Sequence, residues 1–165
     1  FIIIPGIEIS SSEGHILAYG IKETIPRDLS AAETCDKIVA LGGVPVAAHP
    51  FRRINGLSEM TIINTKFIAI ETMNARSSEK TNQRALNLKN RLNLPATGGS
   101  DDHEGYTIGY AYMETNENLS NMEHVLDYIR KGRSTGSGQP RNLKLMFNYA
   151  RRSLNSWMNR GFKRV

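Results

Sequence analysis

Gly99-Ser100-Asp101-Asp102-His103 sets a carboxylate and an imidazole two residues apart, directly after a short apolar run that closes in glycines. Along a strand, residues i and i+2 point the same way, so Asp101 and His103 are expected to converge on one divalent cation. Two further segments end apolar runs in the same manner: Gly6-Ile7-Glu8-Ile9 and Ala47-Ala48-His49-Pro50-Phe51. Alternation puts Glu8 on the face opposite Ile7 and Ile9, and a carboxylate turned into a barrel interior is costly unless it is paired or metal-bound. His15 opens the next strand-like run, and the turn between the two strands can bring it beside Glu8. Mixed imidazole and carboxylate donors suit Zn²⁺, Mn²⁺ or Fe²⁺ rather than a thiolate site. A bridging carboxylate such as Glu8 fits a cluster of ions, the arrangement that clamps attacking and leaving oxygens in phosphoester hydrolysis.

Basic groups must then hold the phosphate. Arg52 and Arg53 follow the His49 strand end directly, and Arg76 follows Glu71-Thr72-Met73-Asn74 at another. Guanidinium presents paired donors that match phosphate. The expected catalytic set is Glu8, Asp101 and His103, the last two also placed to move a proton. Asp102 is expected to cap its own loop. His124 lies in a polar stretch of a surface helix and is expected to be solvated.

The elements that position these residues alternate. Residues 2–9 and 15–21 read as strands joined by a serine-rich turn. Ser30 with Glu33 three residues later has capping-box spacing, and the helix it opens should stop at Gly42-Gly43. Strands are expected at 44–48, 66–71, 94–98 and 106–113, and helices at 77–92 and 119–131. Repeated βα units with ligands at the strand ends point to an α/β barrel or open parallel sheet, and the common centre the ligands require favours the barrel.

In the last helix Leu143, Met146, Phe147, Ala150, Leu154, Trp157 and Met158 recur at spacings of three and four. That is an amphipathic stripe expected to pack on the rest of the domain. The chain therefore divides into a domain over 1–133, a linker over 134–139 and a basic helix over 140–165.

At 165 residues the chain suits one domain, and 39% hydrophobic with 22% charged residues is ordinary for a globular protein. No apolar run reaches the roughly 20 residues that span a bilayer, and no membrane partner is expected. Cys35 is the single cysteine, which excludes an internal disulfide, favours a cytoplasmic setting and reads as a buried structural thiol. The net charge of +5 sits in the tail. Residues 141–165 hold seven basic side chains (Arg141, Lys144, Arg151, Arg152, Arg160, Lys163 and Arg164) and no acid, whereas the other 140 residues hold 14 basic and 16 acidic groups. Such a tail can meet nucleic acid or another polyanion.

Pro5-Gly6-Ile7-Glu8-Ile9, His15-Ile16-Leu17, Ala48-His49-Pro50-Phe51, Ile70-Glu71-Thr72-Met73-Asn74 and Gly99-Ser100-Asp101-Asp102-His103 together resemble the PHP family, the polymerase and histidinol phosphatase phosphoesterases. The resemblance runs in order over residues 5–112. It implies a distorted (β/α)7 barrel, of which this chain is the C-terminal portion, and a site for up to three divalent metals. By that resemblance Glu8 bridges two metals, His15 and His49 complete the second, Asp101 binds the first and His103 the third. The basic tail is similar to a C-terminal extension of some microbial members.

The family's opening His-x-His motif, a following acidic or His ligand and a further His lie upstream of the Glu-bearing strand. The chain opens at Phe1 inside an apolar run, so a longer native protein is expected. The function expected is metal-dependent hydrolysis of a phosphomonoester, a nucleotide or a nucleic-acid end. The alternative is a non-catalytic nucleic-acid-binding or accessory domain with a degenerate site.

Overall fold

The computed structural model describes residues 1–159, the side chains of Leu143 and Ser156 excepted. β1 (Gly6–Ser10) and β2 (His15–Tyr19) form an antiparallel pair, and β2 runs antiparallel to β3 (Val44–Ala47). β4 (Ala69–Asn74) and β5 (Ala96–Gly99) continue the sheet in parallel with β3, in the order β1-β2-β3-β4-β5. Between them run α1 (Ala31–Ala40), α2 (Glu59–Asn64) and α3 (Glu79–Leu92). The chain then adds a hairpin of β6 (Ala111–Glu114) and β7 (Thr135–Gly138), with α4 (Met122–Arg130) between its strands, and ends in α5 (Leu143–Asn159).

Alternation sorts the side chains into two layers. Ile9, Ile16, Ala18, Ala47 and Ile70 pack with Ile38, Ala85 and Leu88 of α1 and α3 on one face. Val44, Val46 and Ala69 pack with Val125, Leu126 and Ile129 of α4 on the other. Each fully buried isoleucine or leucine contributes about 1.5–3 kcal/mol relative to exposure. α1 starts at the expected capping box, with Ser30 Oγ accepting from the Glu33 N–H at 3.2 Å and Glu33 Oε2 accepting from the Ser30 N–H at 3.0 Å. It stops before Gly42, whose φ of 78° only glycine adopts readily. Cys35 is buried in this layer, and burial pushes its thiol up to about 12, as a structural role requires.

Three expectations are corrected. The fold is mixed α/β, but among the described residues the sheet is open and no barrel closes: β1 stands at one edge and no strand joins it to β5. Residues 135–138, expected within a linker, pair with β6 as β7. The apolar stripe of α5 does not pack inward. Met146, Phe147, Leu154 and Met158 are 47%, 71%, 52% and 48% exposed, and Trp157 is also on the exposed side. Polar partners hold the helix by its other face: Tyr149 lies over Arg76 with 4.7 Å from guanidinium carbon to ring centre, and Arg152 pairs with Glu104. The basic residues Arg160, Lys163 and Arg164 lie outside the described residues. No helix among those described is long and apolar enough to cross a membrane.

Candidate metal centre and anion pocket

The register of β1 on β2 builds the first part of the site. Ser10 stands opposite His15 and Glu8 opposite Leu17, so Glu8 and His15 are diagonal neighbours on one face, within reach of long side chains. His15 Nδ1 lies 2.6 Å from Glu8 Oε1. β3 ends two residues before His49, whose Nε2 reaches the same oxygen at 3.0 Å. The donor atoms of Glu8, His15 and His49 all lie within 4.8 Å of one another. Hydrogen bonding to His15, and then to His49, holds the Glu8 carboxyl well below the usual carboxylate range despite partial burial.

Two imidazoles and an ionised carboxylate that converge in this way fit a divalent cation of the Zn²⁺, Mn²⁺ or Fe²⁺ kind. His49 turns Nε2 into the cluster, while its buried Nδ1 meets no partner among the described residues.

Asp101 and His103 come together by another route. β5 ends at Gly99, so the pair sits in a loop and not on a strand. Asp101 takes a φ of 47° and His49 a φ of 26°, left-handed conformations that cost on the order of 1–3 kcal/mol in a non-glycine residue. The His103 ring is half exposed, with Nδ1 3.4 Å from Asp101 Oδ1.

Arginines occupy the space around Asp101. Arg52 Nη1 donates to Oδ2 at 2.5 Å, and Arg76 Nη1 donates to Oδ1 at 3.2 Å while lying 3.2 Å from His103 Nδ1. Arg52 Nη2 also sits 3.2 Å from His49 Nε2, so one guanidinium spans the gap between the triad and Asp101. Burial opposes the charge on Asp101, but Arg76 and Arg52 outweigh it and hold the carboxyl below its ordinary range. Arg52, Arg53 and Arg76 all line an open pocket of about 430 Å³ together with Glu8, His15, Asp101, His103 and Tyr149.

The loop itself is pinned from below. Asp102 accepts from the Thr107 N–H and hydroxyl and from the Glu104 N–H, the local capping expected of it. Buried Arg141 donates through Nη2 to the Ser100 and Asp101 carbonyls and pairs with Asp102 at 3.3 Å.

Four residues of the site carried no assignment in the sequence reading: Glu71, Asn74, Arg141 and Tyr149. Glu71 is buried under His49 and accepts its backbone N–H at 2.7 Å. Burial pushes the Glu71 carboxyl up to about 8, only partly countered by that bond and by Asn74. A near-continuous apolar run around Glu71 was a usable signal, since a lone carboxylate in a central strand needs a partner. Arg141 and Tyr149 had none, because their contacts depend on where the last helix turns back.

The segment over residues 79–134 matches the family model described as PHP-associated. Over that segment the chain is similar to PHP-associated sequences. The matched segment holds Asp101 and His103 but not Glu8, His15 or His49. Two curated relatives of this chain are uncharacterized proteins of Methanocaldococcus jannaschii. MJ0417 is 28% identical over 122 residues (69% of this chain, 52% of the relative), and MJ1587 is 34% identical over 73 residues (44% and 43%). The chain thus spans about half the length of the curated relatives it matches.

Among solved structures, PsfC from Pseudomonas syringae PB-5123 superposes with a TM-score of 0.70 at 22% identity, covering 92% of this chain and 66% of that one. The lesion-specific endonuclease PfuEndoQ from Pyrococcus furiosus superposes at 0.56 and 16% identity, covering 79% and 40%. These likenesses establish a shared fold.

Proposed function

We propose that the chain carries the phosphoester-hydrolysing site of a divalent-metal-dependent hydrolase. The observation that carries this reading is the meeting of His15 and His49 on one oxygen of Glu8, within a pocket walled by Arg52, Arg53 and Arg76. Glu8, His15 and His49 would hold one divalent ion, and Asp101 and His103 would serve further ions. Divalent ions on such donors supply Lewis acidity and activate water for attack at phosphorus.

The chain's own groups do the rest. Arg76 and Arg52 present guanidinium donors to the phosphate oxygens, a role for which they must exchange Asp101 for the substrate. His103, half exposed beside Arg76, is placed to pass a proton to the leaving oxygen. Tyr149 also lines the pocket, and its ring, 4.7 Å from the Arg76 guanidinium carbon, holds that side chain by a cation–π contact. The substrate class is a phosphomonoester, a nucleotide or a nucleic-acid end. The basic tail favours a polyanion within that class.

The test is release of p-nitrophenol from p-nitrophenyl phosphate after loading with Mn²⁺ or Zn²⁺. Glu8→Gln and Asp101→Asn should each abolish turnover with the circular-dichroism spectrum unchanged. Retained turnover in both variants would sink the reading. For the nucleic-acid alternative, affinity for an oligonucleotide should fall steeply with salt, whereas phosphomonoester hydrolysis should not follow such a law.

A further inference from the structure

Glu71 and Asn74 stand three apart on β4, a spacing that sends side chains to opposite faces of a regular strand. The register of β4 on β5 slips between Glu71 and Met73, and the extra residue turns both side chains to one side. There Glu71 Oε2 accepts from the His49 N–H at 2.7 Å and from Asn74 Nδ2 at 3.1 Å. Asn74 Nδ2 is shared with Asp101 Oδ2 at 3.4 Å. Asn74 Oδ1 accepts the backbone N–H groups of Arg76 at 2.9 Å and Ser77 at 3.1 Å.

Asn74 is itself fixed. Asn82 of α3 accepts its N–H at 3.2 Å and donates to its carbonyl at 3.1 Å. Glu71 is 3% exposed and Asn74 1%. On the open side, a Cβ at Gly99 would stand 2.8 Å from Glu71 Oε1, so only glycine leaves the carboxyl its place. Two of the residues that the pair touches, His49 and Asp101, hold left-handed backbones that need an external restraint.

We propose that Glu71 and Asn74 are a positioning pair that fixes His49 and Asp101 relative to each other and sets the start of the Arg76 turn. The proposal rests on the metal reading of the site given above. Neither residue lines the pocket walled by Arg52, Arg53 and Arg76. Glu71 acts through the backbone of His49, and Asn74 acts through Asp101 and the N–H of Arg76. The two therefore differ in what their loss should disturb. Without Glu71 the imidazole of His49 loses its aim at the triad. Without Asn74 the triad stands, and the anion side of the pocket loosens.

Two measurements test this on the whole chain. Amide hydrogen exchange followed by NMR in the metal-free chain reads the His49 N–H. Glu71→Ala should speed its exchange at least about tenfold more than that of the core amides of β3 and β4, while Glu71→Gln, which keeps an acceptor oxygen, should hold the native rate. Co²⁺ titration followed by its visible absorption reads the triad, and isothermal titration of inorganic phosphate reads the anion side. Glu71→Ala should weaken Co²⁺ about 10–100-fold, with rescue by Glu71→Gln. Asn74→Ala should leave the first Co²⁺ equivalent, bound at the triad, unchanged and weaken phosphate about tenfold.

Native Co²⁺ affinity in Glu71→Ala, no rescue by Glu71→Gln, or native phosphate affinity in Asn74→Ala overturns the proposal. If Glu71→Ala does not fold, Glu71→Gln and Asn74→Ala decide it. If the native chain itself takes up no Co²⁺, the metal reading falls. The pair is then judged on His49 exchange alone, and an unchanged rate in Glu71→Ala overturns it.

Discussion

Glu8 and His15 meet because two antiparallel strands set them diagonally across one face, whereas Asp101 and His103 meet because a loop is tied down around them. The first half needs only strand register. Its ligand atoms face each other across the hairpin, His49 joins them on the Glu8 oxygen from the end of β3, and the neighbouring isoleucines on the opposite face lock that register in the core. The second half needs Asp102, Arg141, Arg52 and Arg76, contributed by segments up to 49 residues away. A ligand on a strand is placed by local geometry, and a ligand in a loop is placed by the company it keeps.

That contrast can be broken at several points. Glu8→Ala should act hardest, since both imidazoles rest on its Oε1. Metal uptake by elemental analysis should fall at least about a hundredfold, and uptake at the native level would remove the strand-borne half from the argument. Arg141→Ala should come next and strike only the loop. It removes the donor to the Ser100 and Asp101 carbonyls and to Asp102, a loss of about 1–3 kcal/mol read as a lower urea midpoint. Triad metal uptake should survive that change, and its loss would show that the halves are not separable.

Arg76→Ala removes a donor shared by Asp101 and His103. Phosphate affinity should drop about tenfold with the fold intact, and a variant that binds phosphate normally would move the anion site elsewhere.

A pH titration sharpens the comparison from below the site. The Glu71 carboxyl is raised to about 8 when folded, from an ordinary 4.5. The folded chain therefore keeps a proton that the unfolded chain releases. Metal-free stability from this group is full below pH 4.5, declines as pH climbs from 4.5 toward 8, and levels off above. Glu71→Gln should flatten that decline, and an identical pH profile in the variant would contradict the burial argument. Ser30→Ala, far from either half, should cost only about 1 kcal/mol by loss of the α1 cap and leave metal and phosphate binding untouched.

Strand-borne features were legible because period-two alternation and capping chemistry act over a few residues. Ile9 and Ile16 buried with Glu8 and His15 opposite, and the Ser30–Glu33 box, follow from spacing alone. Asn74 was not legible. Its spacing from Glu71 reads as opposite faces until a bulge, which no local sequence signal announced, brings them together. α5 misled for a related reason. Its apolar stripe is real, but Tyr149 on Arg76 and Arg152 on Glu104 dock the other face, and those partners are distant in sequence. Strand-end ligands show that strands converge without showing that the sheet's edges meet, and among the described residues they do not.

The hairpin of β6 and β7 lies against β5 backbone to backbone. A Cβ on Gly98 would strike the Tyr112 carbonyl, one on Gly136 the Thr97 carbonyl, and one on Gly138 the Tyr110 carbonyl. For a lineage exploring sequence space these three codons are closed doors, because the smallest possible change at any of them adds a carbon where there is no room. Arg141 follows the hairpin by three residues and carries its guanidinium to the Asp101 carbonyl. A single methyl group on this seam would therefore be felt in the loop that holds Asp101. Inheritance at positions that touch nothing reactive would be governed by the chemistry of a residue they never meet.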